Sequence, residues 1–187
     1  MYTITMKSKF QKLYNNIAHE VARMSHARRL QVGAVIVKDD RVISMGYNGM
    51  PAGWDNNCED KVYNTRFKQQ QDGSWMDPMS YEVVDIEEHY PFEEEEQGPY
   101  YEYARRYKLK TKPEVLHAES NAIAKLAKSN DSGDGADIFI THAPCMECAK
   151  LIYQSGIRRV YFNQNYRDDS GIRFLKQSGI EVIKHEE

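Results

Sequence analysis

The sequence predicts an α/β fold, and three features of the chain support this class. Beyond Pro113, helical and strand patterns alternate, which favours parallel strands with helices packed against a sheet. Two strand-like runs, "VGAVIVK" and "RVISMGY", lie at 32–38 and 41–47. Only Asp39 and Asp40 separate them, a spacing typical of a β-hairpin. The length, 187 residues, suits one domain with a sizeable core.

The helices are predicted from apolar residues at helical spacing and from helix-start signals. In the first helix, Phe10, Ile17 and Val21 fall on one face. Pro144 is expected to open the third helix, because proline suits the first helical turn. The four predicted helices cover 7–24, 115–129, 145–156 and 170–179.

The strands are predicted from short runs rich in β-branched and aromatic residues. The loop "NGMPAG" ends the second of them, since Asn, Gly and Pro all favour turns. The five predicted strands are 32–38, 41–47, 133–142, 157–163 and 180–184.

Residues 59–113 differ in composition, and we expect them to form an insertion on a single domain that spans 1–187. Between Asp72 and Glu102 there are eleven acidic residues and no Lys or Arg, with four consecutive Glu at 93–96. A charge run of this kind is usually a solvated, partly mobile excursion. A regulatory or subunit-contact element is the alternative. The number of aromatic residues indicates that part of the segment packs; these are Trp75, Tyr81, Tyr90, Phe92, Tyr100, Tyr101 and Tyr103.

Composition narrows the class of function. Twenty-five Lys and Arg against 28 Asp and Glu give a net charge of −3, which argues against a general nucleic-acid binder. A small anionic ligand held by one or two arginines is still allowed. No run approaches the ~20 apolar residues of a membrane span, and the N-terminus lacks the apolar core of a secretory signal. A cytoplasmic location is therefore expected.

Two short motifs carry candidate metal ligands. "HAE" contains His117 and Glu119, and "PCMEC" contains Cys145 and Cys148; Cys58 is the remaining cysteine. An odd, low cysteine count is not a disulfide framework. Alone, the C-x-x-C pair suits a redox dithiol, half of a structural zinc site or part of a catalytic metal site.

The number of ligands favours an open, catalytic zinc site. Zinc in catalytic sites takes three protein ligands and keeps a fourth position for water, whereas a closed structural site needs one more Cys or His. Both motifs lie at predicted helix starts, where the partial positive charge stabilises thiolates. Glu119 is expected to reach the water without being a ligand and to pass its proton to a substrate nitrogen.

The order H-x-E, then P-C-x-x-C, resembles the zinc-dependent cytidine and deoxycytidylate deaminases. The resemblance covers about 10–58 and 114–185, and it is closest to the deoxycytidylate deaminases. Deaminases of transfer-RNA adenosine and of the riboflavin pathway share the zinc motifs but generally lack "GYNG". The segments that carry the resemblance are "VGAVIV" (32–37), "GYNG" (46–49), "HAESNAI" (117–123) and "CAKLIYQSGI" (148–157).

The resemblance implies a three-layer α/β/α sandwich of the cytidine-deaminase type, with a mixed five-stranded sheet. It implies hydrolytic deamination of dCMP to dUMP and ammonia, which would supply dUMP for thymidylate synthesis. One Zn²⁺ per subunit would be held by His117, Cys145 and Cys148. Glu119 would protonate N3 of the base and then the departing amino group, while the backbone of Ala118 would hold the base edge.

The resemblance also implies residues for the rest of the nucleotide. Asn48 of "GYNG" would contact the sugar. Arg29, or Arg28 in an alternative register, would bind the phosphate together with Tyr166 and Arg167, since arginine suits bidentate phosphate contacts. A surface cation is the simpler interpretation of each arginine, and edge packing is that of Tyr166.

Regulation and assembly follow from the same resemblance. The family is often hexameric, activated by dCTP and inhibited by dTTP, so a homo-oligomer with nucleotide effectors and Mg²⁺ as their counter-ion is implied. No nucleic-acid or membrane partner is expected. Some members hold a second, structural zinc in the insertion. Here the candidates for such a site are only three, Cys58, His89 and His26, whereas a structural zinc site takes four ligands.

Three other functions stay open at this point. A deaminase of another substrate, such as a nucleoside, free cytosine or tRNA adenosine, would share the zinc motifs. A non-catalytic zinc module would have no use for Glu119 beside the metal. A redox dithiol would form a Cys145–Cys148 disulfide, but no thioredoxin-like βαβ context precedes the pair.

Overall fold

A computed structural model describes residues 6–97 and 102–185 of the chain. These form two compact units, one from Met1–Cys58 with Pro113–Glu187 and one from Glu59–Lys112. The grouping of the whole chain as one domain with an insertion stays a prediction.

Helices and strands are numbered in chain order. They are α1 Ser8–Ala22, β1 Gly33–Lys38, β2 Arg41–Tyr47, β3 Glu59–Tyr63, β4 Lys68–Gln69, β5 Trp75–Met76, β6 Val83–Val84, α2 Ile86–His89, β7 Phe92–Gln97, β8 Glu102–Thr111, α3 Ala118–Leu126, β9 Asp137–His142, α4 Met146–Gln154, β10 Arg159–Gln164, α5 Ser170–Gln177 and β11 Glu181–Lys184.

The first unit is built on a mixed five-stranded sheet in the order β11-β10-β9-β1-β2. The strands β9, β10 and β11 pair in parallel, whereas β1 pairs antiparallel with both β9 and β2. The predicted α/β class, the hairpin and the five strands are therefore confirmed. No helix among the described residues has the length and apolar character needed to cross a membrane.

Helices cover both faces of this sheet, which makes a three-layer sandwich. On one face, Val35, Val37 and Phe139 pack with residues of α1. On the other face, Ile36 and Ile138 pack with residues of α3, α4 and α5. Neighbouring strand residues point to opposite faces, so a continuous apolar run in β1 fills both layers. The predicted three-layer arrangement is confirmed.

The hairpin turn uses an uncommon backbone conformation. Asp39 and Asp40 both have positive φ, 49° and 56°. Positive φ at both central residues is characteristic of the type I′ turn, whose twist matches that of the strands in a two-residue hairpin. Asp tolerates positive φ better than most residues other than Gly and Asn. The hydroxyl of Tyr14 donates to the carbonyl of Asp40 at 2.9 Å, which ties the turn to α1.

The predicted start of α4 is one residue too early, and the expected place of Pro144 in its first turn is wrong. Pro144 does not lie in the first turn of α4, because that helix begins at Met146 and Cys145 is its N-cap. Cys145 has extended backbone angles, φ −69° and ψ 169°. His117 is likewise the extended N-cap of α3, with ψ 154°. Each motif thus places its first ligand just outside a helix.

The second unit contains two small antiparallel sheets, β3-β8-β7 and β4-β5-β6. The acidic run of 93–96 is part of strand β7, where Glu93 lies opposite Arg106 and Glu94 opposite Arg105. The run is therefore regular strand, and cross-strand cations offset part of its charge, while Glu93 and Glu95 are exposed to solvent. The interpretation of the whole segment as a solvated, partly mobile excursion stays a prediction.

The expectation that aromatic residues of the insertion pack is confirmed for part of the set. The ring of Phe92 stacks on Tyr107 at 5.4 Å between centroids. The ring of Tyr90 meets Phe67 edge-on at 6.1 Å. Tyr100 and Tyr101 lie outside the described residues.

Candidate active site

Three side chains from two helix starts converge in the first unit. The Nδ1 atom of His117 lies 3.6 Å from Sγ of Cys145 and 3.4 Å from Sγ of Cys148. All three ligand atoms lie within 4.8 Å of one another. Within 6–97 and 102–185 this is the one group of three such side chains arranged to hold a metal ion.

The separations fit zinc. Tetrahedral zinc has Zn–S bonds of about 2.3 Å and Zn–N bonds of about 2.0–2.1 Å, which place S and N about 3.6 Å apart. Both measured separations lie near this value. One imidazole and two thiolates suit zinc, and three protein ligands leave one position for water. The residues present therefore fit the metal.

Glu119 lies beside this group in the first turn of α3. The residue is only 4% exposed, and its carboxyl interacts electrostatically with His117, Cys145 and Cys148. Burial raises the pKa of Glu119 above that of an ordinary carboxyl. A buried carboxyl with a raised pKa next to a metal site is suited to both accepting and returning a proton.

The two thiols have opposite pKa shifts. Hydrogen bonds from Cys148 and then His117 lower the pKa of the Cys145 thiol to about 3. Cys148 donates to Cys145 and is buried, so its own pKa is raised. The hydrogen bond to Cys145 raises the pKa of His117. No disulfide joins the two cysteines in this structure.

Close contact with the sheet fixes the helix that carries His117. A Cβ atom on Gly46 of β2 would lie 2.3 Å from the carbonyl oxygen of Ala118. Asn121 donates from Nδ2 to the carbonyl of Tyr47 at 2.8 Å, and Ser44 donates to the carbonyl of Ala122 at 2.7 Å. Sequence reasoning missed Gly46 and Asn121 as positioning residues, although both lie in segments it singled out, "GYNG" and "HAESNAI".

Asn48, the predicted sugar contact, has a structural role in this conformation. Its Oδ1 accepts from the backbone N–H of Val32 at 2.8 Å, and its Nδ2 donates to the carbonyl of Leu30 at 2.9 Å. These bonds hold the loop before β1. One Nδ2 hydrogen and one Oδ1 lone pair are left for other partners, so the sugar contact stays a prediction.

The predicted phosphate residues Tyr166 and Arg167 lie on the loop between β10 and α5. The guanidinium of Arg167 lies 5.4 Å from the centre of the Tyr166 ring. Both line a cavity of about 360 Å³. Its walls are Asn165, Tyr166, Arg167, Asp168, Asp169 and Ile172.

The other predicted binding residues lie elsewhere in the first unit. Arg28 and Arg29 are exposed on the loop between α1 and β1. Ala118 is fully buried as the first residue of α3. Its N–H belongs to the first helical turn, where backbone donors have no partner within the helix. The roles of all these residues stay predictions.

Cys58 and His89 form no metal group with other described residues. Cys58 is buried, 1% exposed, in a small cluster with Ala27 and Val115. His89 lies against the ring of Phe67 at 5.0 Å. Each of the two side chains thus has a packing contact in the structure.

Residues 8–164 match the model of the cytidine and deoxycytidylate deaminase zinc-binding region. The deoxycytidylate deaminase of Enterobacteria phage T4 is 32% identical over 175 residues, covering 89% of this chain and 85% of that protein. The human deoxycytidylate deaminase is also 32% identical, covering 82% of this chain and 64% of that protein.

Solved structures agree with these sequence matches. The dCMP deaminase of cyanophage S-TIM5, in complex with dCMP and dUMP, has a TM-score of 0.69 and 32% identity to this chain. The match covers 97% of this chain and 100% of that one. A deaminase/reductase from Thermotoga maritima, 21% identical with a TM-score of 0.55, shares the fold.

The fold and the His-Cys-Cys group thus define a zinc-dependent deaminase. This chain belongs to the cytidine and deoxycytidylate deaminase family.

Proposed function

We propose that this enzyme hydrolyses dCMP to dUMP and ammonia. One observation carries the proposal: the buried carboxyl of Glu119 lies in the helical turn that follows His117, beside a His-Cys-Cys group whose separations fit zinc. Several relatives that match over most of the chain are named deoxycytidylate deaminases, and the S-TIM5 enzyme was solved with dCMP and dUMP. They support dCMP over other substrates of the same reaction.

Different residues of the protein have different roles in the proposed reaction. Zinc held by His117, Cys145 and Cys148 supplies Lewis acidity, which brings the pKa of water close to 7. Glu119 takes the proton from the attacking water and delivers it to N3 as the oxygen bonds to C4. The same carboxylate then takes the remaining proton of the C4 hydroxyl and gives it to the amino group, so that the C4–N bond breaks, the C4 carbonyl forms and ammonia leaves. Base edge and sugar would be held by Ala118 and Asn48.

The cavity beside α5 is the proposed phosphate site. It lies at the carboxyl end of β10, next to the carboxyl end of β9, from which the chain continues to Cys145. Crevices at the carboxyl ends of parallel strands are the usual ligand sites of α/β sheets. Tyr166 and Arg167 would bind the phosphate there, with Arg29 or Arg28 as a second cation.

Regulation, assembly and location are part of the proposal. Activation by dCTP and inhibition by dTTP, each with Mg²⁺, and a hexameric assembly are expected from the family resemblance. Supply of dUMP for thymidylate synthesis follows from the product. Three free cysteines suit the reducing conditions of the cytoplasm.

The test is deamination by purified protein that carries either Glu119→Gln or Glu147→Gln. Glu147 is a matched control: it also lies in a first helical turn, that of α4, but it is exposed and pairs with Lys150 at 2.8 Å. We expect Glu119→Gln to keep its zinc and lose about 10²–10⁴ in kcat on dCMP. Glu147→Gln should match the wild type.

Substrate and effectors are tested in the same assay. Turnover of dCMP should exceed that of cytidine, free cytosine and a tRNA anticodon stem, should stop with a chelator, and should respond to dCTP and dTTP. Full activity of Glu119→Gln would contradict the proton-transfer role. Faster turnover of another substrate would identify a different deaminase. Bound zinc without any turnover would indicate a non-catalytic module.

A further inference from the structure

The first turn of α5 contacts the turn that carries a zinc ligand. A Cβ atom built on Gly171 would lie 2.1 Å from the carbonyl oxygen of Pro144 and 2.9 Å from the carbonyl carbon and oxygen of Cys145. Even close non-bonded contacts between an sp³ carbon and a carbonyl oxygen are normally about 3.3 Å or longer. Only glycine therefore allows the two backbones to be this close.

The same first turn borders the cavity. Ile172, the next residue after Gly171, lines it together with Asp168 and Asp169. Asp168 fixes the start of the helix, because its carboxylate accepts from the N–H of Ser170 at 2.8 Å and from its hydroxyl at 2.7 Å. One helical turn thus touches the cavity on one side and the backbone of Cys145 on the other.

A second contact joins the two loops. The backbone N–H of Ala143 donates to the carbonyl of Gln164 at 2.8 Å. Ala143 begins the loop that leads to Cys145, and Gln164 ends the strand that leads to the cavity. The loops are therefore joined both at their strand ends and at Gly171.

We propose that Gly171 is a positioning residue that sets the place of Cys145 relative to the cavity. The zinc ligand and the nucleotide-phosphate cavity then form one rigid body, so that a bound monophosphate has a fixed distance to the metal. The part that concerns the phosphate rests on the proposed function, whereas the part that concerns the metal ligand does not.

The test compares Gly171→Ala with Gly33→Ala. Gly33 is a matched control, because its added Cβ would also lie 2.1 Å from a carbonyl oxygen, that of Ala18. That contact is with α1, on the opposite face of the sheet from α5. Each variant is loaded with Co²⁺, whose visible absorption reports ligand geometry, and its metal dissociation constant is measured by competition with a chelator.

We expect Gly171→Ala to weaken Co²⁺ binding about 10- to 100-fold, the effect typical of residues that orient metal ligands, and to shift the absorption bands. Gly33→Ala should lower the melting temperature but leave the bands unchanged and the dissociation constant within about two-fold. Wild-type bands and affinity in Gly171→Ala, or the same changes in Gly33→Ala, would overturn the proposal.

A milder variant decides the matter if Gly171→Ala does not fold. Asp168→Ala removes an exposed side chain that holds the first turn of α5. Co²⁺ binding should weaken several-fold with a broadened spectrum, and unchanged binding would contradict the proposal. If the metal readouts change as expected but no variant or wild-type protein deaminates dCMP, the proposed function fails while the role of Gly171 stands.

Discussion

The two units of the chain are stabilised by different kinds of interaction. In the first unit, apolar side chains cover both faces of the sheet, and the functional group lies where two helices start. In the second unit, small sheets combine stacked rings with cross-strand charges, such as Arg105 over Tyr63 at 3.9 Å and Arg106 with Glu93 at 2.8 Å. Apolar burial depends little on pH or on charge screening by dilute salt, whereas exposed charge pairs are sensitive to both. The first unit should therefore be the more robust of the two.

The largest expected effect is on zinc content and activity, and it should differ between substitutions of two equally buried cysteines. Cys148 and Cys58 are 2% and 1% exposed. Cys148→Ala removes a metal ligand, so we expect loss of zinc and a fall in deamination of about 10³-fold or more, because metal catalysis contributes several kcal/mol. Metal content by mass spectrometry and turnover of dCMP measure it.

Cys58→Ala is the control for burial alone. We expect it to keep its zinc and activity and to cost about 1 kcal/mol of stability. Equal zinc loss in the two variants would show that packing, and not ligation, accounts for the role of Cys148.

The next effect compares one ion pair from each unit. Asp137 and Arg159 form a bidentate pair across β9 and β10, with side chains 3% and 4% exposed. Removing one partner leaves a buried charge, so Asp137→Ala should cost the first unit about 3–5 kcal/mol of unfolding free energy. Glu93→Gln breaks a more exposed pair in the second unit and should cost about 1 kcal/mol or less.

Urea unfolding followed by circular dichroism measures both changes, and hydrogen exchange assigns them to a unit. A cost for Glu93→Gln as large as that for Asp137→Ala would remove the distinction between the units.

The smallest effect concerns pH. Hydrogen bonds from Lys61 and then Tyr63 lower the pKa of Glu94 below its ordinary value of 4.5. A carboxyl with a lowered folded-state pKa stabilises the fold above its ordinary pKa, and this contribution disappears as the pH falls through the folded value. We therefore expect β3, β7 and β8 to lose hydrogen-exchange protection below about pH 4.5, while the five-stranded sheet keeps its protection.

Glu94→Gln should remove most of this pH dependence. Glu95→Gln, a change to an exposed neighbour on the same strand, should keep it. Parallel loss of protection in both units on acidification would show that their stability has a common origin.

Much of the first unit was predictable from local patterns. The strand runs, the two-residue hairpin and the helix starts are encoded by neighbouring residues, and the His-Cys-Cys group follows from two short motifs at those starts. The position of Pro144 was not predictable at this level. Whether a proline lies before an N-cap or after it depends on the angles of Cys145, which the ligand geometry and the contact with Gly171 constrain.

The second unit was harder to predict because its partners are distant in sequence. Four consecutive Glu have no apolar period, so nothing local indicates a strand. Arg105 and Arg106 explain the run only once the strands are paired. Asn48 shows the same limit on a smaller scale, since a loop amide can face a ligand or its own backbone, and only the fold brings Val32 and Leu30 to it.

Asp137 and His142 are the two ends of β9, a strand of six residues, or about 20 Å. The ion pair with Arg159 fixes one end, and the loop that leads to Cys145 leaves from the other. A tilt of about 3° at the fixed end would move the far end by about 1 Å over this length. Displacements of that size can reduce a rate about 10²-fold. The orientation of β9 thus sets the position of the metal ligand that follows it. A change at the Asp137–Arg159 ion pair, far from the reactants, would lower the rate of catalysis by displacing Cys145.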